Sequence, residues 1–599
     1  MNFIQSTLQA VEVGKGQFLS RLIPLLTAVL VVGGAYDLIV YRGLSDAQSM
    51  DNAQLARQIA HHQGFTTKFL RPQAVAQLRD YAMSQSLKTG ASRDLFPADR
   101  FPPGTPRILP DTYNAPGYPC LLAAWFFVTH PDFGETPGAM AASHFYSADR
   151  WLPLLNQAFL LMTAVLVFAL GRRLFDDRVA WISLLAFLGT DLVWHYTLTA
   201  LSTTFLMFLV TAMLLCLLEI FCVGEVCFDN EDHAFTAAWG WGCALAFLLA
   251  VSCLTRLHLL VLLVPLIFFL SIMPRASWLL CVAIALAVVT SVIPWFWHEY
   301  KVSGNILGSN FALVLDGQGV YSGNQIYCMT SIPSYENLFK DALTKESTGF
   351  LWHLDHGWNL LGANPLIFIF GTSILHQFKR RRTRLFHWFL FCSAIVLVAA
   401  NNLGSATPDD MGPWNVLILL FPCMLVMGTA YFFILLDRLN VQMRLLNNLI
   451  VTTSVVVIIA PMLLTLTTTP RNYYAFPPYI PPLINEFGQF AQPDEWVTSD
   501  MPWATAWYAD RASLWLPDTT SDFQNFYDSV CPSGVLLLTP VSWSQPISNF
   551  TTGEYKDWLP FVSNNPLPAA FPLSVHTQTG SGGPNYSLWS DRTRWLDEK

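Results

Sequence analysis

Two carboxylates, Asp46 and Asp51, stand five residues apart just beyond the first long apolar run of the chain. A carboxylate held at a bilayer surface can take the proton from an acceptor hydroxyl, which is a weak nucleophile at neutral pH without a base. Asp51 is the expected base and Asp46 its nearest rival. Either could also ligate a divalent cation, but no complete oxygen-ligand set is legible, so metal use stays open. Much further on, Arg256 and His258 sit between two apolar runs, and His298 and Lys301 follow a third. An ionisable group at membrane depth is costly and is by default functional. The chemistry it suits is stabilisation of a leaving phosphate, the alternative being a side chain that snorkels to the interface. Arg57 and Arg71 fall on what reads as exposed loop and rank lower. His353, Asp355 and His356 are dense enough to suggest a metal, yet read more simply as the polar entrance of a helix.

The elements that must carry these residues are membrane helices. Of 599 residues only 12% are charged, while 53% are hydrophobic and 14% aromatic, and mean hydropathy is +0.39. Soluble domains carry about 25% charge, so an ordinary cytosolic enzyme is excluded. A net charge of -8 without a long basic stretch also speaks against nucleic acid, whose phosphates need clustered Lys and Arg. Runs of roughly 20 apolar residues mark spans, and eleven are expected, near 22–41, 151–170, 179–198, 201–222, 238–255, 257–273, 278–297, 358–375, 385–402, 414–436 and 447–467. The first is too long for a signal peptide core and reads as a retained anchor. Most of the eleven cysteines lie inside these runs, where a thiol is a small hydrophobe.

Lys and Arg mark cytoplasmic loops. Arg172, Arg173 and Arg178, Arg275, the group from Lys379 to Arg384, and Arg438 with Arg444 all fall on one side of the alternation. With Lys15 and Arg21 they place the N-terminus in the cytoplasm and, after an odd number of crossings, the C-terminus outside. Three segments then face outward: 42–150, 298–357 and the tail 468–599. The chain thus divides into a membrane domain, 1–467, and an outer domain, 468–599, joined by Pro477–Pro482, a stiff extended spacer. In the tail, β-rich runs at 496–498 and 534–538 alternate with helical stretches at 502–510 and 521–530, which predicts a small α/β domain.

Around Asp51 the pattern Leu55, Ile59 with Ala53, Ala56 and Ala60 predicts a short amphipathic helix starting near Asp51 and lying along the bilayer. Asp51 with Gln54 three residues on fits a capping box, the structural alternative to a catalytic role. The order of features here, Asp51-Asn52-Ala53-Gln54-Leu55-Ala56, a turn at Gly64-Phe65-Thr66-Thr67, and Tyr113-Asn114-Ala115-Pro116-Gly117-Tyr118-Pro119, resembles the GT-C membrane glycosyltransferases, in particular family 39. That family includes protein O-mannosyltransferases and lipid A aminoarabinose transferases. Gly171-Arg172-Arg173-Leu174-Phe175, Leu254-Thr255-Arg256, and Pro294-Trp295 with Gly304-Asn305 extend the likeness over roughly residues 20–465. Two positions depart from the pattern: the usual acid pair is Asp51-Asn52, and Ala115 stands where a Lys often precedes the paired prolines.

The resemblance implies a polyprenyl-phosphate sugar donor, attack by an acceptor hydroxyl of a lipid, glycan or protein at the anomeric carbon, and an outer-face site in a bacterial inner membrane, with membrane lipids as surroundings. With Lys absent at Ala115, another cation must hold the donor phosphate. Arg256, supported by His258, His298 or Lys301, is the expected clamp. Two other functions compete. A transporter or flippase of lipid-linked sugars should show repeated halves and polar mid-membrane breaks, whereas here polar residues gather outside. A non-catalytic envelope assembly protein would use the tail as its binding module.

Overall fold

Apolar stretches of the lengths just described leave the chain little choice but helix, because no other unpaired backbone is tolerated in hydrocarbon. The computed structural model describes residues 15–89, 95–96, 104–143, 146–225, 231–272, 278–314, 325–330, 338–404, 415–439, 444–469, 480–553, 555–563, 571–578 and 585–595. Within them, eight helices are long and apolar enough to cross a membrane, or nine if Asp177–Leu188 and Asp191–Thr197, bent by 58°, form one broken span. Of the eleven expected runs, eight hold such a helix among the described residues, one holds the bent pair, and two hold shorter apolar helices.

The two remaining runs are apolar but short. Leu257–Leu262 winds as a 3-10 helix before Leu263–Ser271 becomes α-helical. At about 2.0 Å per residue in the tighter part and 1.5 Å in the rest, this piece is only roughly 25 Å long. The other run is cut in two. Helix Leu338–Leu360 ends inside it, Gly362 and Ala363 turn with φ of 69° and 50°, and Pro365 restarts a helix that stops at Thr372. Arg275 lies outside the described residues.

Segment 42–150 forms α1 (Ala47–Ala60), strands β1 (Thr66–Thr67), β2 (Phe69–Leu70) and β3 (Leu109–Pro110), and α2 (Gly117–Thr129). Two membrane helices bear on the site: α3 (Glu231–Thr255) and α4 (Trp278–Ser303). In the tail, β4 (Trp496–Ser499), α5 (Pro502–Tyr508), β5 (Ser513–Trp515), β6 (Ser533–Leu538), β7 (Val575–Gln578) and β8 (Ser587–Ser590) build the α/β layer. Pro481 and Pro482 open a helix, Pro481–Gln489, rather than continuing an extended spacer, since a first turn needs no backbone N–H from them. The rest of that spacer, up to residue 479, lies outside the described residues.

The tail's sheet does not stop at the tail. Its order is β2-β5-β4-β6-β8-β7, so the first loop supplies an edge strand, with Phe69 and Leu70 paired in parallel with Ser513 and Leu514. The division at 467/468 follows the chain, but the packing crosses it. Strand β6 is buried at every position, which explains its unbroken apolar run, because both faces are covered.

Candidate active site

Helix α1 begins at Ala47, and its N-cap is Asp46, which accepts a hydrogen bond from Ser49 N at 2.7 Å. The cap is therefore Asp46, five residues before Asp51. Nor is the helix a half-exposed surface element, because Ser49 through Gln58 are all buried beneath α2 and α5. Asp51 is fully enclosed, at 0% exposure. Its Oδ2 accepts from Arg71 Nη2 at 2.7 Å and from Asn114 Nδ2 at 2.9 Å, and its Oδ1 from Gln54 Nε2 at 3.0 Å. Arg71 is itself buried, its guanidinium 4.1 Å from the Phe69 ring centre and 3.7 Å from that of Tyr113. The low ranking of Arg71 as a solvated loop charge is thus overturned, and so is that of Arg57, 1% exposed. The tail, more than 400 residues away, covers Arg57, while Arg71 is enclosed by the rings of Phe69, Tyr113 and Tyr327.

Beside this pair lies Asp111, which accepts Asn114 N at 2.8 Å. Burial, with the Asp51 charge next to it, pushes the Asp111 carboxyl up to about 7. Asn114 links the buried acids to the surface of a cavity: its Nδ2 holds Asp51 while its Oδ1 accepts from Gln48 Nε2 at 2.6 Å.

That cavity has a volume of about 370 Å³. Gln48 and Asn52 face it from α1, Asn114, Tyr118 and Pro119 from the strap into α2, Arg256 and His258 from the junction after α3, and Trp295, Phe296 and Glu299 from α4. The helix ends at Thr255, so Arg256 is extended (φ -145°, ψ 112°) and its side chain turns into the space. Its Nε donates to Ser202 Oγ at 3.0 Å and its Nη2 to Thr203 Oγ1 at 3.3 Å. Its Nη1 is enclosed without a partner, as are His258 Nε2 and Glu299 Oε2. Buried polar atoms are rarely left this way, and three around one cavity fit a polar ligand. Gly117 makes the junction possible. A Cβ there would lie 2.4 Å from Thr255 Oγ1 and 2.9 Å from Thr255 N, so only glycine lets α2 approach the end of α3 this closely.

Not every expected residue arrives. Asp51 and Asp46 are absent from the cavity lining, although Asp51 is one side chain behind it through Asn114. His298 stacks on Trp295, ring centres 5.1 Å apart, and does not line the cavity. Lys301 is exposed, its Nζ 5.2 Å from the Trp297 ring centre, as an interfacial lysine should be. His353 and His356 bond the carbonyls one turn back, Gly349 O at 2.8 Å and Trp352 O at 3.1 Å, as wall residues of a helix. Among the described residues no three His, Cys, Asp or Glu side chains gather as a metal cage. Glu299 was legible only as a lone carboxylate one turn from the end of an apolar helix, a signal passed over for its basic neighbours.

A helical membrane layer with its polar cavity under an α/β layer has solved counterparts. ArnT from Cupriavidus metallidurans bound to undecaprenyl phosphate matches with TM-score 0.53 at 13% identity, over 96% of this chain and 98% of that one. The oligosaccharyltransferase AglB from Archaeoglobus fulgidus, in complex with an inhibitory peptide and a dolichol-phosphate, matches with TM-score 0.51 at 10% identity, over 96% and 75%. The chain has the GT-C fold. No protein-family model matches the sequence, and neither does any curated protein.

Proposed function

We propose that this multi-pass membrane protein is a glycosyltransferase that moves a sugar, hexosyl or pentosyl, from a polyprenyl-phosphate donor to an acceptor hydroxyl. The observation that carries this is the unpartnered Arg256 Nη1 in a cavity whose other walls include Leu257, Leu260, Trp295, Phe296 and Leu307. A guanidinium fits a phosphate, and the apolar walls fit the first isoprene units. The lipid chain leaves along α4, whose outer face carries Ile293 and Trp297, 52% and 58% exposed. Undecaprenyl phosphate in the ArnT structure and dolichol-phosphate in the AglB structure are ligands of this kind in proteins of the same fold.

In the reaction the acceptor oxygen attacks the anomeric carbon with inversion, and the bond from that carbon to the phosphate oxygen breaks. The charge that collects on the phosphate is met by Arg256, with Ser202 and Thr203 fixing the guanidinium and His258 offering a further donor. Asp51 sets the opposite wall by holding Asn114, and through it Gln48. The first-loop pattern keeps family 39 as the proposed affiliation. The arginine distribution supports a cytoplasmic N-terminus and an outer-face site in a bacterial inner membrane, with 1–467 as the transferase domain and 468–599 as its outer cover.

Binding of undecaprenyl phosphate to the full-length protein in lipid nanodiscs tests the proposal. Arg256→Ala should weaken it by about tenfold or more, the worth of one charge-assisted contact. Equal affinity in the two proteins would overturn it.

A further inference from the structure

Asp46, Asp51 and Asp111 of the first loop all lie off the cavity lining, so none of them meets the acceptor's proton. We propose that Glu299 is the base that takes it, an inference that rests on the transferase reading above. Among the described residues lining the cavity, Glu299 is the one carboxylate. It is only 3% exposed, and its Oε2 has no hydrogen-bond partner. Asp51, by contrast, has both oxygens committed to Arg71, Asn114 and Gln54 and is absent from the cavity lining. His258 shares a short turn with Arg256 and so belongs to the phosphate wall, whereas Glu299 comes from a different helix, α4.

The chain invests in this placement. Gly308, at φ 60°, lies against the carboxylate, where an added Cβ would meet Glu299 Oε2 at 2.5 Å and Thr112 O at 2.2 Å. A glycine turn therefore closes behind the acid, and Ser309 N and Oγ then donate to Thr112 O at 2.9 Å and 3.0 Å. The helix and the first-loop strap are thereby tied together at this point.

The step balances without any co-reactant. The acceptor O–H proton passes to the Glu299 carboxylate as the acceptor oxygen's electron pair forms the new bond to the anomeric carbon. The bond from that carbon to the phosphate oxygen breaks with its pair, leaving the lipid phosphate with an extra negative charge beside Arg256. Release of the proton to water resets Glu299.

The test compares a strain lacking the gene with strains carrying wild-type, Glu299→Gln or Arg256→Ala protein, with lipid-phosphate sugars measured by mass spectrometry of lipid extracts. Purified full-length protein is assayed alongside for undecaprenyl phosphate binding. The null strain should accumulate a lipid-phosphate sugar that wild type consumes. Glu299→Gln should accumulate it to within about twofold of the null while binding undecaprenyl phosphate within about threefold of wild type, the pattern of a lost base with binding intact. A wild-type pool in the Glu299→Gln strain would overturn the assignment, as would a Glu299→Gln protein that no longer binds the lipid. Should that variant fail to accumulate in the membrane, Glu299→Asp keeps the proton acceptor one methylene back. In normally inserted protein it must clear part of the pool, and a pool as large as the null's would count against the role. No accumulation in the null strain, or no lipid binding by wild type, would instead sink the transferase reading itself.

Discussion

Asp51 and Arg71 form a buried ion pair, 0% and 5% exposed on their side chains and 2.7 Å apart, and that burial decides what substitution does. Removing one partner of such a pair leaves an uncompensated charge and costs about 3–5 kcal/mol. Asp51→Asn should therefore lower the thermal midpoint of the full-length protein markedly, whereas a mere cap would have tolerated Asn; an unchanged midpoint would contradict the pairing. Asp111 offers a pH signature. Its carboxyl is raised by burial and the Asp51 charge to about 7, so the folded chain keeps a proton that the unfolded chain releases near its ordinary value of about 3.9. The resulting stabilisation is complete below the unfolded value and is lost as pH rises through about 7. Unfolding followed at pH 5 and pH 8 should show Asp111→Asn gaining on wild type at the higher pH, and a pH-independent difference would refute the assignment. Arg256 and His258 could be picked out from sequence because ionisable groups between apolar runs are rare. The burial of Arg57 could not, because the tail that covers it is distant in the chain, and that of Arg71 could not, because Tyr113 and Tyr327 reach it from other segments.

At the level of elements, the cavity depends on how closely α2 meets the end of α3. Gly117→Ala places a methyl 2.4 Å from Thr255 Oγ1 and 2.9 Å from a backbone nitrogen, and the backbone cannot yield as a flexible side chain would. The prediction is a shift of α2 away from Arg256 and roughly a tenfold loss of undecaprenyl phosphate affinity, with membrane insertion intact. Wild-type affinity would show that this contact does not shape the site. The spans themselves were legible from apolar length alone, which is why each expected run contains an apolar helix. The shape of two of them was not, since composition does not reveal that Leu257–Leu262 tightens to a 3-10 helix or that Gly362 and Ala363 break a run in two. In the tail, β4, β6, α5 and the helix Thr520–Ser529 announced themselves by alternation. The partnership of β2 with β5 did not, because two residues carry no periodic signal.

Across the whole molecule, the α/β layer of the tail is clamped onto the first loop. Arg57 donates to Ala506 O at 2.6 Å and Trp507 O at 2.9 Å, and pairs with Asp510 at 2.7 Å. Lys68 reaches the same carboxylate at 2.6 Å, and Trp507 Nε1 and Tyr508 OH both bond Asp149. Tail and loop should therefore act as one cooperative unit. Arg57→Ala leaves the carbonyls of Ala506 and Trp507 without this donor, so hydrogen exchange should speed up together in 47–70 and 502–515; acceleration in only one segment would argue for separable parts. A tail-deleted protein should then lose the order of α1 along with the tail.

The central claim is that the cavity beside Arg256 receives the phosphate of a polyprenyl lipid. An experimental structure of the full-length protein with undecaprenyl phosphate bound tests it most directly. The phosphate should lie within hydrogen-bond reach of the Arg256 guanidinium, with the isoprene chain leaving past Leu257, Trp295 and Phe296 and with Glu299 facing the anomeric position. A phosphate held away from Arg256, or a cavity left empty by a lipid bound elsewhere, would contradict it.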